Sequence, residues 1–324
     1  MRGSSTPPPL TGVLDAAGAW LPRQLGRVED RLGEVVGAQS GPLETEARST
    51  LLSGGKRMRP LLALVCAGPS GGERAVRGAT AVELVHMATL VHDDVLDAAP
   101  LRRGAATVFS RAGRNIAVAT GDLLYARAFA ELSAEPGDSE QVDRLSAASV
   151  SLALGELAQR SDAFDLSVGE ARYERRCLLK TAALFETACA IGSPSAEGDQ
   201  LVAFGRRIGL AFQMLDDVLD IVGPPERTGK ACGTDLVDGT VNLPMIEAIR
   251  RDRELARVEL RGLDRDQTDA LCQRIIATGA IEVVRVRARG LVDRAVDSLA
   301  AAPIDDERRS LLELVAAGVV ERYS

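Results

Sequence analysis

An all-α fold is what this sequence predicts, and three observations carry the prediction. Sustained period-two alternation of β-branched residues is absent; Val283 to Val286 comes nearest, and the Arg spacing around it suits a helix equally well. Ala, Leu, Val and Arg dominate while aromatics make up 3%, a composition that suits helices. Apolar residues recur at helical spacing along most of the chain, and Gly and Pro punctuate the stretches between.

Taken in order, residues 1–10 (MRGSSTPPPL) contain no apolar segment of the signal-peptide kind and are expected to be a disordered lead-in. Residues 11–324 show no composition shift and are read as one domain. An amphipathic first helix is expected at 13–37 and a second at 43–52, stopped by Ser53-Gly54-Gly55. Lys56, Arg57, Met58 and Arg59 then form a basic loop leading into a helix that Pro60 can open. Gly68 to Gly72 punctuates before a long helix at about 73–97, and Pro100 to Gly104 is a loop. Further helices are expected at 115–132, 139–165, 169–191 and 196–222, with a turn at Pro136-Gly137-Asp138 and a break at Gly192 to Pro194. Residues 223–241, rich in Gly, Pro and Thr, make the one long internal loop, and helices resume at 243–260, 265–278, 280–300 and 305–321.

Bulk properties exclude several classes of function. A hydrophobic content of 46% with 26% charged residues is that of an ordinary soluble globular protein. The longest apolar run, Pro60 to Gly68, is far too short to span a bilayer. A net charge of −7 argues against a nucleic-acid partner. Five widely spaced cysteines (Cys66, Cys177, Cys189, Cys232, Cys272) without a CxxC pair suggest neither a disulfide framework nor a zinc site; they read as small buried residues in a reducing cytoplasm.

The chemistry is carried by two copies of Asp-Asp-Val-Leu-Asp, at Asp93, Asp94, Asp97 and at Asp216, Asp217, Asp220. Each copy ends an apolar-periodic stretch, so the first and last aspartates of each lie one turn apart on one helix face. Like charges at that spacing destabilise a helix by about 0.2–0.5 kcal/mol per pair. Mg²⁺ relieves the repulsion and keeps positions for water and phosphate oxygens. One DDxxD by itself is more often a solvated acidic face, but two copies, each directly after an apolar run, reverse those odds. Cations stand beside them: Arg102 and Arg103 after the first motif, Lys56 and Arg59 behind the Gly pair, Lys180 inside the apolar stretch LLKTAALF, and Lys230 in the long loop. Arg offers phosphate a bidentate fork and Lys a point charge, so the set describes a site for two diphosphate-bearing molecules. His86 lies seven residues before Asp93, on the same helix face; His92 adjoins Asp93.

The arrangement resembles the trans-isoprenyl diphosphate synthases, the polyprenyl synthetase family, from about Gly54 onward. GGKRMRP, HDDVLD followed by LRRG, Gly121-Asp122, Gly155-Glu156, Lys180-Thr181, FQMLDDVLD and GKACGTDL match in order. The resemblance implies a single-domain helical bundle of the isoprenoid synthase type with a central cavity, a homodimer, and head-to-tail condensation of isopentenyl diphosphate with an allylic diphosphate. It implies three Mg²⁺ ions, coordinated directly by Asp93, Asp97 and Asp216 with Asp94, Asp217 and Asp220 in support. By the same resemblance Arg102, Lys180 and Lys230 would hold the allylic diphosphate, and Lys56, Arg59, His86 and Arg103 isopentenyl diphosphate. Gln213 and Thr181 would sit near the developing allylic cation. One departure is Thr240, which stands where many members carry a second lysine after the GK loop.

Product length should depend on the helix behind Asp93, where Val85, Ala88 and Thr89 are candidate determinants. The small pair Ala88 and Thr89 leaves room where short-chain members resembling this one often place an aromatic, which implies a geranylgeranyl or longer product. Two other readings remain open from the sequence: a terpene cyclase, which would have no use for the GGKRMRP site, and a non-catalytic subunit tuning a partner synthase, which usually loses its acidic motifs.

Overall fold

The computed structural model describes residues 8–38, 40–102, 104–134, 139–193, 198–223 and 232–321. Helices account for nearly all of the regular structure, as expected. The expected single helix at 13–37 is two, α1 (Pro8–Ala16) and α2 (Trp20–Val36). They part at Gly18, whose φ of +61° breaks a right-handed helix at no steric cost to glycine. Of the expected lead-in, residues 1–7 lie outside the described residues and Pro8 already opens α1.

Helices α3 (Pro42–Leu52) and α4 (Met58–Ala67) flank the Gly54-Gly55 loop. A 3-10 turn at Pro69–Gly71 leads into α5 (Gly72–Leu96). Most of α5 is buried, Glu83 included, as a helix apolar on nearly all sides must be. The strands β1 (Leu101–Arg102) and β2 (Ala105–Ala106) form an antiparallel hairpin with Leu101 opposite Ala106; at two residues each they are too short for the alternation that announces a strand. Thr107 caps α6 (Val108–Ala112) by accepting from the Ser110 N–H at 3.0 Å, and α7 (Arg114–Ser133) follows.

The chain continues through α8 (Ser139–Ser161), α9 (Glu170–Cys177), a π-helical turn at Leu178–Ala182, α10 (Ala183–Gly192) and α11 (Gly198–Val222). The expected turn at Pro136-Gly137-Asp138 lies outside the described residues, as does Pro194. A short α12 (Thr234–Val237) sits inside the expected long loop, of which 224–231 is not described. Then come α13 (Leu243–Arg251), α14 (Arg265–Ala277), α15 (Ala280–Leu299) and α16 (Asp306–Glu321). The helix expected to reach residue 260 stops at Arg251. There Asp252 turns extended and its carboxylate accepts from the Glu254 N–H, starting a 3-10 turn instead.

Two compact units form. One comprises Met1–Ser149, Leu184–Val202 and Ala301–Val315; the other comprises Val150–Ala183, Ala203–Ala300 and Ala316–Ser324. In the first, α5 packs against α2, α4 and α7. In the second, α13 packs against α9, α14 and α15, its start capped by Asn242 accepting from the Met245 N–H. Among the described residues no helix is long and apolar enough to cross a membrane.

Candidate active site

In the first unit, Asp93 and Asp94 occupy the last turn of α5 and Asp97 is its C-cap. The negative end of a helix dipole disfavours carboxylates by about 0.3–1 kcal/mol each, which adds to their mutual repulsion and strengthens the case for a cation there. The three are not equivalent. Asp97 is exposed and Asp93 half-buried, whereas Asp94 is 4% exposed and accepts from Arg102 Nε at 2.7 Å. The hairpin thus delivers Arg102 to the back of the acidic turn. The segment between is closed by Thr107, whose hydroxyl donates to the Ala99 carbonyl and whose N–H donates to that of Pro100.

His92 donates from Nε2 to the Val118 carbonyl at 3.2 Å and lies 3.5 Å from an Asp122 oxygen, with its ring against Tyr125. A Cβ on Gly121 would stand 2.1 Å from that nitrogen. Gly121-Asp122 is therefore the seat of His92. Burial and the charge of Asp93 push the Tyr125 phenol up to about 12; Tyr125 stands on a different helix, α7, and belongs to no motif.

The basic loop is anchored by a residue the sequence reading passed over. Arg57 holds a left-handed backbone (φ 48°) as N-cap of α4. It donates to Glu29 on α2 and, at 2.8 Å, to Glu83 on α5. Burial would lower its pKa; the two glutamates outweigh burial and raise it. Lys56 and His86 are half-buried, and the Arg59 guanidinium lies over the Phe185 ring, 4.6 Å from its centre. Val85 and Ala88 are fully buried, and the Thr89 hydroxyl donates to the His86 carbonyl. Arg103 and Lys230 lie outside the described residues.

In the second unit, the last turns of α11 repeat the pattern. Asp216 is exposed, Asp220 half-buried, and Asp217 3% exposed. Asp217 accepts from the Tyr173 hydroxyl at 2.7 Å, from Gln213 Nε2 at 2.8 Å and from the Leu243 N–H at 3.4 Å. Burial, then the charge of Asp235, pushes its carboxyl up to about 7 against the pull of those three donors. Asp220 accepts from the Asp235 N–H, and its carbonyl from the Gly233 N–H, which ties α12 to the acidic turn. Thr240, in the following loop, is held by its N–H to the Asp235 carbonyl.

Lys180 and Thr181 stand on the π-helical turn, where the Ala183 N–H reaches back to the Leu178 carbonyl; such bulges recur at functional sites. Gly155 lies against the Lys180 backbone, where a Cβ would be 2.6 Å from the nitrogen. The next residue, Glu156, pairs with Lys180 Nζ at 2.5 Å and with Arg160 at 2.8 Å. Burial would raise the Glu156 pKa; Lys180 and then Arg160 outweigh it and hold the carboxyl below its ordinary value. Gly155-Glu156, in sequence only a motif, seats Lys180 in the structure. Thr181 donates to Gln213 Oε1 at 2.7 Å.

Among the described residues no group of three or more His, Cys, Asp or Glu side chains converges on a metal position. Each acidic turn instead offers one or two hard carboxylates that are not buried. That donor set suits Mg²⁺, which takes one or two carboxylates and completes its octahedron with water and substrate phosphate.

A predominantly helical chain with two acidic helix ends, the first paired with Arg102, and with Lys180 seated on a π-helical turn has the features of the enzymes that act on prenyl diphosphates. A model of the polyprenyl synthetases matches residues 42–277. Component 2 of the heptaprenyl diphosphate synthase of Geobacillus stearothermophilus is 36% identical over 310 residues, which cover 93% of this chain and 97% of that protein. The octaprenyl diphosphate synthase of Escherichia coli is 34% identical over 278 residues, 82% of this chain and 86% of that one. The crystal structure of a decaprenyl diphosphate synthase from Rhodobacter capsulatus superposes with a TM-score of 0.87 at 32% identity, covering 96% of this chain and 99% of that one. The chain is a member of the polyprenyl synthetase family.

Proposed function

We propose that this chain condenses isopentenyl diphosphate with an allylic diphosphate to give a longer trans-polyprenyl diphosphate and diphosphate. The observation that carries the reading is the difference in burial within each acidic turn: one aspartate is buried against a neighbour of its own unit, Asp94 against Arg102 and Asp217 against Tyr173, while Asp97 and Asp216 are exposed and Asp93 half-buried. Magnesium held by Asp93, Asp97 and Asp216 would supply positive charge to the leaving diphosphate. Arg102, Lys180 and Lys230 hold the allylic diphosphate, and Lys56, Arg59, His86 and Arg103 isopentenyl diphosphate. Thr181 and Gln213 offer oxygen dipoles to the electron-poor allylic carbon, which must be kept from water that would quench it. The departing diphosphate takes the proton released as the new double bond forms.

The relatives are named for heptaprenyl, octaprenyl and decaprenyl products, which supports a long-chain product here, as do the small side chains of Ala88 and Thr89. Val150, Leu154 and Leu157 are 58%, 51% and 64% exposed at helical spacing on one face of α8. A bare apolar stripe of this kind supports a subunit interface, and we assign it to a second copy of this chain. The test is product analysis with the purified chain, Mg²⁺, isopentenyl diphosphate and farnesyl diphosphate, with light scattering for the assembly. An elongated linear lipid from a dimer is expected; a cyclic hydrocarbon, or turnover only after a second protein is added, would overturn the reading.

A further inference from the structure

Tyr173 is 1% exposed and belongs to none of the motifs. Its ring is seated under the Arg176 guanidinium, 5.6 Å from the ring centre. Arg176 is itself buried, donating to the Val241 carbonyl at 2.8 Å and pairing with Asp162. From this fixed seat a single file of hydrogen bonds runs to the π-helical turn: Tyr173 to Asp217, Asp217 to Gln213, Gln213 to Thr181.

The direction of that file follows from what each group can do. The Leu243 N–H can only donate, and it shares Asp217 Oδ2 with the Tyr173 hydroxyl. The other carboxylate oxygen accepts, so Gln213 turns its NH2 to Asp217. Its carbonyl is then left for Thr181, whose hydroxyl must give its proton to it. An amide turned end for end fills the same volume, so without an acceptor at the head of the file nothing would choose between its two orientations.

We propose that Tyr173 and Asp217 are positioning residues that set the hydrogen-bond polarity of Gln213 and Thr181, so that these two present oxygen lone pairs rather than protons to the electron-poor carbon of the allylic substrate. The inference rests on the prenyl-transfer reading above.

Asp217→Asn keeps the volume but reverses the file. The Leu243 N–H and the Tyr173 hydroxyl still require an oxygen at the Oδ2 position, which places the new NH2 toward Gln213. Gln213 must answer with its carbonyl and turn its own NH2 on Thr181. Tyr173→Phe removes one of the two donors that fix Asp217 and leaves the polarity to Leu243 alone, so its effect is smaller. The expected losses in kcat are about 100-fold for Asp217→Asn and about 10-fold for Tyr173→Phe, the range for outer partners that orient the groups in front of them. The KM values for both diphosphates and the Mg²⁺ concentration for half-maximal rate should stay within about twofold. In the Asp217→Asn background, Thr181→Val should cost almost nothing, because the hydroxyl is already misdirected.

Wild-type kcat in Asp217→Asn, a rate restored by raising Mg²⁺, or losses from Asp217→Asn and Thr181→Val that multiply would each overturn the inference. Should Asp217→Asn fail to fold, Tyr173→Phe decides: a lowered melting temperature with unchanged kcat makes the hydroxyl structural only. A wild-type chain that elongates no allylic diphosphate would overturn the functional reading itself, which is a different result from an active wild type with active variants.

Discussion

Adding a single methyl group at Gly155 should cost this protein its activity while leaving its acidic turns untouched. A Cβ there would lie 2.6 Å from the Lys180 nitrogen and 2.9 Å from its Cα, against 3.4 Å where ordinary contact begins. The atoms in the way are backbone, not the end of a flexible side chain, so the two segments must part by about 0.8 Å. Overpacking of this sort costs about 1–3 kcal/mol. In a chain of this size that lowers the melting temperature by about 1–2 °C per kcal/mol. The displaced backbone is that of the π-helical turn, so Lys180 and Thr181 move with it. Misplacement approaching 1 Å costs about 100-fold in rate. Gly26→Ala is the control: Gly26 lies mid-α2 with nothing within 4 Å of an added Cβ, so alanine there should stabilise by about 0.4–1 kcal/mol and leave turnover alone. The assay is incorporation of labelled isopentenyl diphosphate beside thermal unfolding of both variants. Wild-type turnover and melting temperature in Gly155→Ala would show that this close approach does not hold Lys180 in place.

Glu83→Gln takes a buried charge from Arg57 while Glu29 remains. It should destabilise by about 1–3 kcal/mol and raise the KM for isopentenyl diphosphate more than that for the allylic substrate, because Arg57 anchors the loop carrying Lys56 and Arg59; equal changes in both KM values would count against that anchoring role. Glu156 has a carboxyl held below its ordinary value of 4.5, so the stability it contributes is present above that value and is lost as pH falls through the lower, folded-state one. The gap in denaturation midpoint between wild type and Glu156→Gln should therefore be wide at neutral pH and close on acidification, and a gap that widens in acid would reverse the sign. Ala88→Phe places an aromatic five residues before Asp93 and should shorten the product, read by chromatography of the dephosphorylated lipids; an unchanged chain length would remove Ala88 from the determinants.

Both acidic turns of the candidate site can be read in the linear chain, because their motifs are local. Asp93 and Asp97 share a helix face by spacing alone, and Lys180 betrayed itself by sitting among apolar residues. What could not be read is which aspartate of each triplet is committed elsewhere. The helical repeat separates Asp94 from Asp93 and Asp97 but says nothing of Arg102, which reaches it because the chain folds back after Asp97, where Ala98 is left-handed and the Ala99 N–H donates to the Asp94 carbonyl. Likewise Arg57, standing between two expected substrate-binding cations, gives no sign in sequence that it faces Glu29 and Glu83, 28 and 26 residues away.

The helical class, the positions of both acidic turns and the family are all written in the linear chain, since helix periodicity and short motifs depend on neighbours within a few residues. That Gly121 seats His92, that Glu156 seats Lys180 and that Tyr173 reaches Asp217 across 44 residues emerges only on folding. Those pairings are set by how helices pack. A polar group buried by packing must find a partner wherever the neighbouring helix happens to offer one, and no spacing along the chain encodes that choice.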